Sequence, residues 1–460
     1  MGISVQKFGG TSVGGSEKLG ISAKEAMNSV SDIVKGVPSP VVIASALSGV
    51  TDQLLKMLVD AIDGNDWQPT LDAIRKRHED LLTALDVQVN LDDTFNSIRS
   101  VLTGVPMVGE VSPAVRDRIQ VFGERLSNPI LASYLQKLGL DAEFVDASKL
   151  IYTDPNHGNA AVDFVQTQAA VKEILVPMIE AGKVPVITGF LGTSSTNDKV
   201  TSLGRGGSDY TASIIAEALK EAGQEVDSID IYTDVNGVYT ADPRVVPGAT
   251  PLAQMSYDEA AQVASHGGKV LFPRTMAPAI RAGIKIRVLN TFNPDHTGTT
   301  VDSEEVKTLK AVTCKKGVSI ITVKTLAMFD AAGFLARLYG IFDKHKVSVD
   351  VLSSSSIEVS SSVDGKVPDA LIRELETIAK VTIKPDQAII SLVGHGIHGE
   401  ENGDHHRPVE SRFFDAVDGV KPSMVSASPS ATNFTVAVDD KFADYVVKRV
   451  HAEFFEQKAA

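Results

Sequence analysis

The sequence predicts an α/β protein with a largely parallel sheet sandwiched by helices, followed by two smaller ferredoxin-like modules of the βαββαβ type. Two observations support this fold class. Residues 1–301 alternate between short apolar strand patterns and longer helical patterns, as parallel sheets with crossover helices do. After residue 302 the pattern changes to βαββαβ over about 70 residues, and a weaker copy of it follows.

These patterns divide the chain into four parts. We expect a large α/β domain at 1–301, a charged linker at 302–311, a first module at 312–385 and a second module at 386–460. A strand at 309–314 precedes the first module and is a candidate to complete the second.

Strands and helices of the large domain are predicted from their hydrophobic periods. The strand patterns lie at 4–8, 41–46, 143–145, 184–188, 228–232 and 284–289. The helical patterns lie at 18–35, 52–63, 70–85, 113–138, 162–181, 209–222, 257–264 and 274–282. The helical stretch at 70–103 has no intervening strand, which indicates an all-helical insertion.

The two modules are predicted in the same way. In the first, strands at 318–323, 347–353, 357–363 and 381–384 surround helices at 332–345 and 368–378. In the second, the corresponding segments lie at 388–393, 409–417, 424–426, 433–438 and 441–456.

Composition excludes several classes of protein. The 44 Lys and Arg residues against 58 Asp and Glu residues give a net charge of −14, a poor footprint for binding nucleic acid. No apolar run approaches the roughly 18 residues that span a bilayer, and no secretory signal pattern opens the chain. The single cysteine, Cys314, excludes an internal disulfide, so we expect a reducing, cytoplasmic location.

The first strand breaks into the sequence KFGGTS at 7–12, directly before a helical pattern. Glycine lets backbone N–H groups approach an anion, and a helix N-terminus adds partial positive charge. One interpretation is a phosphate-binding loop with Lys7 as its cation. The alternative, an ordinary strand-to-helix turn with an exposed lysine, stays open on this stretch alone.

A stronger anion signal is GRGGSD at 204–209, where glycines flank Arg205 at the start of a helix. We expect Ser208 or Asp209 to cap that helix. Arginine offers bidentate geometry to carboxylate and phosphate groups. The alternative is a glycine-rich surface loop.

Four further stretches carry candidate residues, and two of them, 44–52 and 233–244, come directly after predicted strands. Ser48 or Thr51 suits a helix cap as well as an anion site, and the loop 233–244 suits an adenine nucleotide. Lys269 is flanked by glycines, and the neighbouring His266 is expected to be packed or capping. Glu124, inside a helical pattern, has the ordinary interpretation of a solvated helix face.

Neither of two common nucleotide-binding motifs is predicted to form in this chain. The chain lacks the G-x-x-x-x-G-K-[ST] pattern of P-loop proteins. A literal G-x-G-x-x-G occurs at 394–399, but the acidic stretch after it does not begin a helix, so we interpret 394–408 as a loop. Its four histidines are expected to be incidental, not metal ligands.

These pieces suggest a type of chemistry. Lys7, Arg205 and Lys269 would together suit a polyphosphate and stabilise a phosphoryl group in transfer. No Ser-His-Asp set and no metal-ligand cluster is evident in the sequence. A carboxylate acceptor is already ionised at pH 7 and needs no general base. Mg²⁺ would enter on the nucleotide.

As a set, the motifs resemble those of aspartate kinase, in that family's order and spacing over essentially the whole chain. They are KFGGTS (7–12), Ser45 with GVT (49–51), GER (123–125), GRGGSD (204–209), YTDVNGVY (232–239), DPR (242–244) and GKVL (268–271). The resemblance implies the amino-acid-kinase fold with two C-terminal ACT modules. Without a homoserine dehydrogenase extension, the chain is similar to the monofunctional enzymes.

The resemblance also implies roles for individual residues. Lys7 would neutralise the transferring phosphoryl group, and Asp209 would orient Lys7. Arg205 would grip the α-carboxylate of aspartate and Glu124 its ammonium. The other residues implied at the aspartate site are Ser45, Thr51 and Ser208. Those implied at the ATP site, besides Lys7, are Gly9, Gly10, Thr233, Asp234, Tyr239, Arg244, Lys269 and Val270.

The first ACT module resembles that of lysine-inhibited members. The matching pocket residues are Met328, Ala331, Phe334, Leu335, Ser348, Val349 and Asp350, with Asp350 pairing to the effector's amino group. The chain departs from that pattern at 353–358, where Ser356 and Ile357 intervene before Glu358. The implied effector is lysine first, threonine second, and no feedback third.

The implied product is 4-phospho-L-aspartate, the first step toward lysine, threonine, methionine and, in bacteria, diaminopimelate. The ACT modules imply a homodimer or homotetramer. Two alternatives remain: another amino-acid kinase, of the glutamate or acetylglutamate type, and a non-catalytic amino-acid sensor built on ACT modules.

Overall fold

The computed structural model describes residues 2–268, 271–328, 332–395, 397, 407–427 and 432–456. The chain divides into two compact units. Unit 1 comprises Met1–Val238 and Val270–Ser303, and unit 2 comprises Tyr239–Lys269 and Glu304–Ala460. The stretch 239–269, which the sequence analysis places in the large domain, therefore belongs to unit 2.

Unit 1 contains a large, mainly parallel sheet with the strand order β3-β5-β2-β1-β8-β10-β11. Its strands are β1 (Ile3–Phe8), β2 (Pro40–Ala44), β3 (Ala142–Val145), β5 (Val184–Thr188), β8 (Val226–Thr233), β10 (Ile286–Asn290) and β11 (Thr299–Asp302). All neighbours pair in parallel except β10 and β11, which are antiparallel. Strands β2 and β5 are buried throughout, as expected for strands covered on both faces.

A small second sheet in unit 1 has the order β4-β6-β7. Its strands are β4 (Tyr152–Thr153), β6 (Leu191–Ser194) and β7 (Val200–Ser202). These strands are absent from the predicted elements, because segments of two to four residues are too short to show a hydrophobic period.

The helices of unit 1 are as follows: α1 (Gly10–Gly14), α2 (Ala23–Lys35), α3 (Val50–Ile62), α4 (Gln68–Leu85), α5 (Asp92–Val108), α6 (Pro113–Gln120), α7 (Phe122–Lys137), α8 (Phe164–Glu180), α9 (Gly207–Glu221) and α11 (Pro273–Ala282). The predicted helix 113–138 is two helices, α6 and α7, that meet at Val121. The predicted helix 18–35 begins only at Ala23, where Ser22 and Glu25 form a capping box.

The predicted helical insertion consists of α4 and α5, and it is anchored by apolar side chains. Leu71 and Ile74 of α4 and Ile98 and Leu102 of α5 are buried in one cluster with Leu54 of α3. This cluster continues into Phe8 and Val42 of the large sheet, so the insertion shares the core of unit 1.

Unit 2 contains an antiparallel sheet with the order β13-β14-β12-β15-β17-β16. Its strands are β12 (Leu309–Lys324), β13 (Leu352–Ser354), β14 (Glu358–Asp364), β15 (Lys380–Gly394), β16 (Met424–Ala427) and β17 (Asn433–Asp439). Its helices are α12 (Phe334–Lys344), α13 (Asp369–Glu376), α14 (Val409–Ala416) and α15 (Ala443–Phe455). The element order gives βαββαβ for the first module and, within the described residues, βαββα for the second. The predicted strand 347–353 is shorter, beginning only at Leu352.

Two long strands serve both modules. Val318–Lys324 of β12 pairs with β14 and with the first part of β15, while Leu309–Lys315 pairs with the second part of β15. The strand pattern at 309–314 therefore does lie beside the second module. No break separates it from the first module's strand, so the expected linker 302–311 ends inside β12.

The stretch 239–269 is part of the core of unit 2. It carries β9 (Gln254–Ser256) and α10 (Tyr257–Ser265). Ala241 and Val246 are buried in one cluster with Val312 and Phe413. Thr240 bonds the imidazole Nε2 of the buried His451 through its hydroxyl, at 2.9 Å.

No helix within the described ranges is long and apolar enough to cross a membrane. The G-x-G-x-x-G stretch falls largely outside the described part of the chain, since residues 396 and 398–406 are not described.

Candidate active site

The carboxyl ends of four parallel strands lie at one edge of the unit 1 sheet. Phe8 of β1 is in register with Ala44 of β2 and Tyr232 of β8, and Ala44 is in register with Thr188 of β5. The loops that follow these strands therefore begin side by side, at the edge where open α/β sheets bind ligands.

Lys7 lies at this edge and pairs with Asp209. Its Nζ is 2.8 Å from Oδ1 of Asp209, and the two side chains are only 13% and 9% exposed. Asp209 is in the first turn of α9. The interpretation of Lys7 as an exposed lysine on a plain turn is therefore wrong. A Cβ on Gly9 would lie 3.3 Å from the Lys7 Nζ, so the glycine leaves the ammonium room.

The glycines of α1 bring that helix against the loop after β2. A Cβ on Gly10 would lie 3.2 Å from the carbonyl oxygen of Ala46, and one on Gly14 would lie 2.4 Å from the amide nitrogen of Ser48. Arg77 of the helical insertion joins the same two segments. It donates to the carbonyl oxygens of Ser48 at 2.7 Å and Gly14 at 3.1 Å. Arg77 could not be identified from the sequence, because one arginine on a helix carries no pattern.

The loop after β2 also contacts the start of α9. The hydroxyl of Ser45 donates to the hydroxyl of Ser208 at 3.0 Å, and the Ser45 amide donates to the carbonyl of Phe8 at 3.1 Å. Neither Ser48 nor Thr51 caps α3, whose N-cap is Gly49. Thr51 lies beside the next candidate residue, since its Oγ1 is 3.5 Å from the position of a Cβ on Gly123.

Glu124 is buried in the first turn of α7, with 4% of its surface exposed. Its Oε1 accepts a hydrogen bond from the Ala46 amide at 3.2 Å, and its Oε2 has no partner among the described residues. Burial raises the pKa of this carboxyl to about 8, against the smaller opposing effect of the Ala46 bond. The solvated-face interpretation is wrong. A buried carboxyl with one open oxygen suits a ligand ammonium.

Arg205 is exposed on the turn before α9. Its guanidinium lies 5.3 Å from the centre of the Phe272 ring, and no described carboxylate lies within 4.0 Å of it. The N-cap of α9 is Gly206, at φ +71°, so Ser208 and Asp209 are inside the helix and not its cap. Arg205 can therefore take an external anion.

The predicted ATP residues are distributed over both units. Thr233 and Asp234 follow β8 in unit 1, where the Thr233 hydroxyl donates to Asp234 at 3.2 Å. Tyr239 and Arg244 belong to unit 2. There the guanidinium of Arg244 donates to both carboxylate oxygens of Asp242, and the shortest of these hydrogen bonds joins Nη2 to Oδ2 at 2.6 Å. Lys269 and Val270 lie outside the described residues. His266 is packed, as expected, and bonds the carbonyl of Gln262 at 2.8 Å.

The predicted effector residues lie around α12 in unit 2. Phe334 is buried, Leu335 is 43% exposed, and Met328 and Val349 pack against the same core. Ser348 and Asp350 are exposed in the segment before β13. Ala331 lies outside the described part of the chain.

Asp350 already has a partner within unit 2. The Nζ of Lys315 lies 2.6 Å from Oδ2 of Asp350 and 2.6 Å from Oδ1 of Asp364. Lys315 could not be identified from the sequence, because its position on β12 has no local signal.

Comparison with known proteins identifies the family. The family model described as "Amino acid kinase family" matches residues 2–290. Aspartokinase 1, chloroplastic, of Arabidopsis thaliana is 31% identical, over 98% of this chain and 80% of that protein. The chain belongs to the aspartokinases. The lysine-sensitive aspartokinase 3 of Escherichia coli is 30% identical to this aspartokinase over 99% of both chains.

Solved structures agree with this assignment. E. coli aspartokinase III in complex with aspartate and ADP (R-state) superposes with a TM-score of 0.86 at 28% identity, covering 99% of this aspartokinase and all of that chain. The same enzyme with lysine and aspartate (T-state) gives 0.73 at 29% identity, again over 99% of this chain. The predicted fold class is confirmed. Another type of amino-acid kinase and a non-catalytic sensor are not supported.

Proposed function

We propose that this aspartokinase transfers the γ-phosphoryl group of ATP to the side-chain carboxylate of L-aspartate, giving 4-phospho-L-aspartate and ADP. One observation carries the proposal. A continuous set of contacts in unit 1 runs from Lys7 through Asp209 and Ser208 to Ser45, and from the adjacent Ala46 to the buried, half-satisfied Glu124. Lys7, a cation suited to a phosphoryl group, and Glu124, a carboxyl suited to an amino group, thus lie at the same edge of the sheet.

The reaction needs charge stabilisation more than proton transfer. A side-chain oxygen of aspartate attacks the γ-phosphorus, and the bond from that phosphorus to the β,γ-bridging oxygen breaks. The attacking carboxylate is ionised at neutral pH, so no base has to remove a proton. We assign Lys7 to the charge that spreads over the transferring group, and Asp209 to holding the Lys7 ammonium in place.

The α-ammonium and the α-carboxylate of aspartate would be bound by different residues. Glu124 would bind the ammonium, because its open Oε2 is buried and the carboxyl gains a charge partner. Arg205 would bind the α-carboxylate through its free guanidinium. Ser45 precedes Ala46, whose amide bonds Glu124, and Thr51 approaches Gly123, the neighbour of Glu124. Ser208 follows Arg205 by three residues and bonds Ser45. We propose that the three hydroxyls contribute to the same aspartate site.

The nucleotide would be held by the glycine turn and the loop after β8. Gly9 is the N-cap of α1 and Gly10 its first residue. The family resemblance implies that their backbone N–H groups donate to the phosphates. Thr233, Asp234, Tyr239, Arg244, Lys269 and Val270 complete the set that the family resemblance implies. Mg²⁺, when bound, would neutralise phosphate charge, and we propose that it enters ligated by the nucleotide's phosphate oxygens and water.

We further propose that lysine inhibits the enzyme through the first ACT module. The support is the match at Met328, Phe334, Leu335, Ser348, Val349 and Asp350, together with the name of the lysine-sensitive E. coli relative. The enzyme would act as a homodimer or homotetramer in the cytoplasm. There it would serve the synthesis of lysine, threonine and methionine and, in bacteria, diaminopimelate.

The decisive assay is ATP turnover with the acyl phosphate trapped as a hydroxamate. Aspartate should give the aspartyl hydroxamate, whereas glutamate should give little product, because a longer side chain misplaces the attacking carboxylate. Absence of aspartyl hydroxamate would overturn the proposal. Repeating the assay with lysine and with threonine identifies the effector. Asp350→Asn should lose lysine inhibition while keeping turnover.

A further inference from the structure

Asp117 of α6 is a buried carboxylate with no role in the assignments above. It is 1% exposed. Its Oδ2 accepts hydrogen bonds from Nδ1 of His157 at 2.9 Å and from the amide of Gly158 at 3.0 Å. The same oxygen accepts from the amide of Ser202 at 3.0 Å, and Oδ1 accepts from the Ser202 hydroxyl at 2.6 Å. No described lysine or arginine lies within 4.0 Å of it.

These donors come from two segments that meet beneath the turn carrying Arg205. Ser202 ends β7, and Gly204 follows two residues later. Gly204 has φ +78°, and a Cβ on it would lie 3.0 Å from both the Gly158 carbonyl oxygen and Oδ1 of Asn159. The Ala160 amide also donates to the carbonyl of Ser202 at 3.1 Å. The backbone of Gly204 therefore rests on the segment that Asp117 holds.

The direction of the Arg205 side chain depends on this turn. Apart from the Phe272 ring, no described side chain makes an ion pair or ring contact with the Arg205 guanidinium. The turn itself closes through the Gly207 amide, which donates to the Gly204 carbonyl at 3.0 Å. With so few contacts of its own, the guanidinium is aimed by the backbone position of residues 204–206.

We propose that Asp117 is a positioning residue for Arg205, and that through Arg205 it sets the enzyme's preference for substrates with a charged α-carboxylate. This inference rests on the proposed function, which gives Arg205 the α-carboxylate of aspartate. Asp117 does not touch the substrate. It acts by tying the segment 157–159 and the end of β7 to α6.

Replacing the Asp117 carboxylate by an amide weakens these contacts. The Ser202 hydroxyl can turn to accept from an asparagine Nδ2, but the three N–H donors now on Oδ2 would then share a neutral amide oxygen. Hydrogen bonds to a neutral acceptor are weaker than those to a carboxylate, so the segment 157–158 and the end of β7 are held less firmly and shift. A bidentate contact between guanidinium and carboxylate tolerates little displacement, so the substrate contact weakens.

The test compares L-aspartate with its 1-amide, in which the α-carboxylate is a neutral carboxamide and the reacting carboxylate is kept. The ratio of kcat/KM for the two substrates measures how well Arg205 engages the charged group. In Asp117→Asn this ratio should fall about tenfold or more, with the KM for ATP little changed. In Arg205→Ala it should fall further, and adding Asp117→Asn should lower it no more.

Two more variants keep the test decisive. Ser202→Ala removes only the 2.6 Å bond and should lower the ratio in the same direction by less. Asp230→Asn is the matched control: Asp230 is fully buried and accepts from Ser4 and Arg287, away from the turn. It should cost stability and leave the ratio unchanged.

The outcomes separate this inference from the proposed function. A wild-type enzyme that does not phosphorylate aspartate defeats the proposed function. If wild type is active and Arg205→Ala loses the preference, a wild-type ratio in Asp117→Asn overturns the positioning role alone. Should Asp117→Asn fail to fold, an unchanged ratio in folded Ser202→Ala overturns it instead.

Discussion

The hydroxyl of Ser45 lies 3.0 Å from the hydroxyl of Ser208, although 163 residues separate them in the chain. This contact joins the loop after β2 to the first turn of α9. Ser45 precedes Ala46, which bonds Glu124, and Ser208 precedes Asp209, which pairs with Lys7. Three of the proposed aspartate residues, Ser45, Ser208 and Glu124, therefore belong to one connected cluster with Lys7 and Asp209.

Loss of the Lys7 ammonium should slow turnover strongly without unfolding unit 1. We expect Lys7→Met to lower kcat by about 10²–10³, because the charge on the transferring phosphoryl group loses its nearest cation. Asp209→Asn should also lower kcat, since Lys7 loses its only carboxylate within the described chain. Hydroxamate formation measures the rates. Lys56→Met, at an exposed lysine on α3, is the control and should behave as wild type. Near-normal kcat in Lys7→Met would contradict the assigned role.

The KM for aspartate should fall as pH rises toward 8. Burial raises the pKa of Glu124 to about 8 in the free enzyme, so below that pH the carboxyl is mostly protonated and neutral. The substrate ammonium favours the ionised form, and binding must therefore release a proton. The KM should fall by up to about tenfold per pH unit below pH 8.

Initial rates at varied aspartate and fixed, saturating ATP measure this slope. Glu124→Gln carries no titrating carboxyl, so its KM should be high and flat over the same range. The KM for ATP in wild type is an internal control and should not follow the slope. A Glu124→Gln enzyme with the wild-type pH profile would show that another group is responsible.

An added methyl group at Gly14 should damage the site, whereas one at Gly104 should not. A Cβ on Gly14 would lie 2.4 Å from the Ser48 amide, so α1 and the loop after β2 must separate. We expect Gly14→Ala to raise the KM for both substrates and to lower kcat. Gly104 sits inside α5 with nothing within 4 Å of its Cβ position. Gly104→Ala should stabilise the protein by about 0.5–1 kcal/mol with unchanged kinetics. Thermal melts and steady-state rates of the two variants test these expectations. Equal kinetics in Gly14→Ala and Gly104→Ala would show that the close packing of Gly14 against Ser48 does not matter for the site.

The bond from Thr240 to His451 should influence the use of ATP. Thr240 lies between Tyr239 and the buried Ala241 in unit 2, and its hydroxyl bonds His451 at 2.9 Å. Thr240→Val leaves a buried imidazole nitrogen without its partner, at a cost of about 1–3 kcal/mol. The segment that carries Tyr239 and Arg244 should loosen, and the KM for ATP should rise more than that for aspartate.

A second buried hydroxyl in unit 2 provides the matched control. Thr435 shares a 2.7 Å hydrogen bond with Ser391 between β17 and β15, outside the segment 239–269. Thr435→Val should lose comparable stability without raising the KM for ATP selectively. If both variants alter the KM for ATP alike, general loosening of unit 2 is the cause.

Hydrophobic periodicity was enough to predict the main strands of both units. Strands β1, β2 and β5 are almost wholly buried, and β8 is buried over most of its length, so their apolar runs are plain in the sequence. Lys7, Arg205 and Ser208 could be proposed because glycines beside a charge at a helix start have a local physical meaning. Their contacts join distant segments and could not be predicted from these local patterns; only the family resemblance implied the pairing of Lys7 with Asp209.

Residues whose role depends only on tertiary contacts escaped prediction. Asp117 and Arg77 sit in helices, where a charged residue ordinarily faces solvent. The residues alone gave Glu124 the same solvated-face interpretation, and only the family resemblance implied its role. The membership of 239–269 in unit 2 escaped for the same reason. Ala241 and Val246 are small apolar residues, and nothing local shows which core will bury them.

Because β12 and β15 each run through both ACT modules, neither module should fold as an independent fragment. A fragment ending at 385 would keep Leu309–Lys315 but remove the strand it pairs with, exposing a row of unpaired backbone groups. A fragment starting at 386 would lack the strand that completes its sheet. Exchange of regulatory modules between aspartokinases should therefore succeed only when 309–456 moves as one cassette, together with a compatible 239–269 segment.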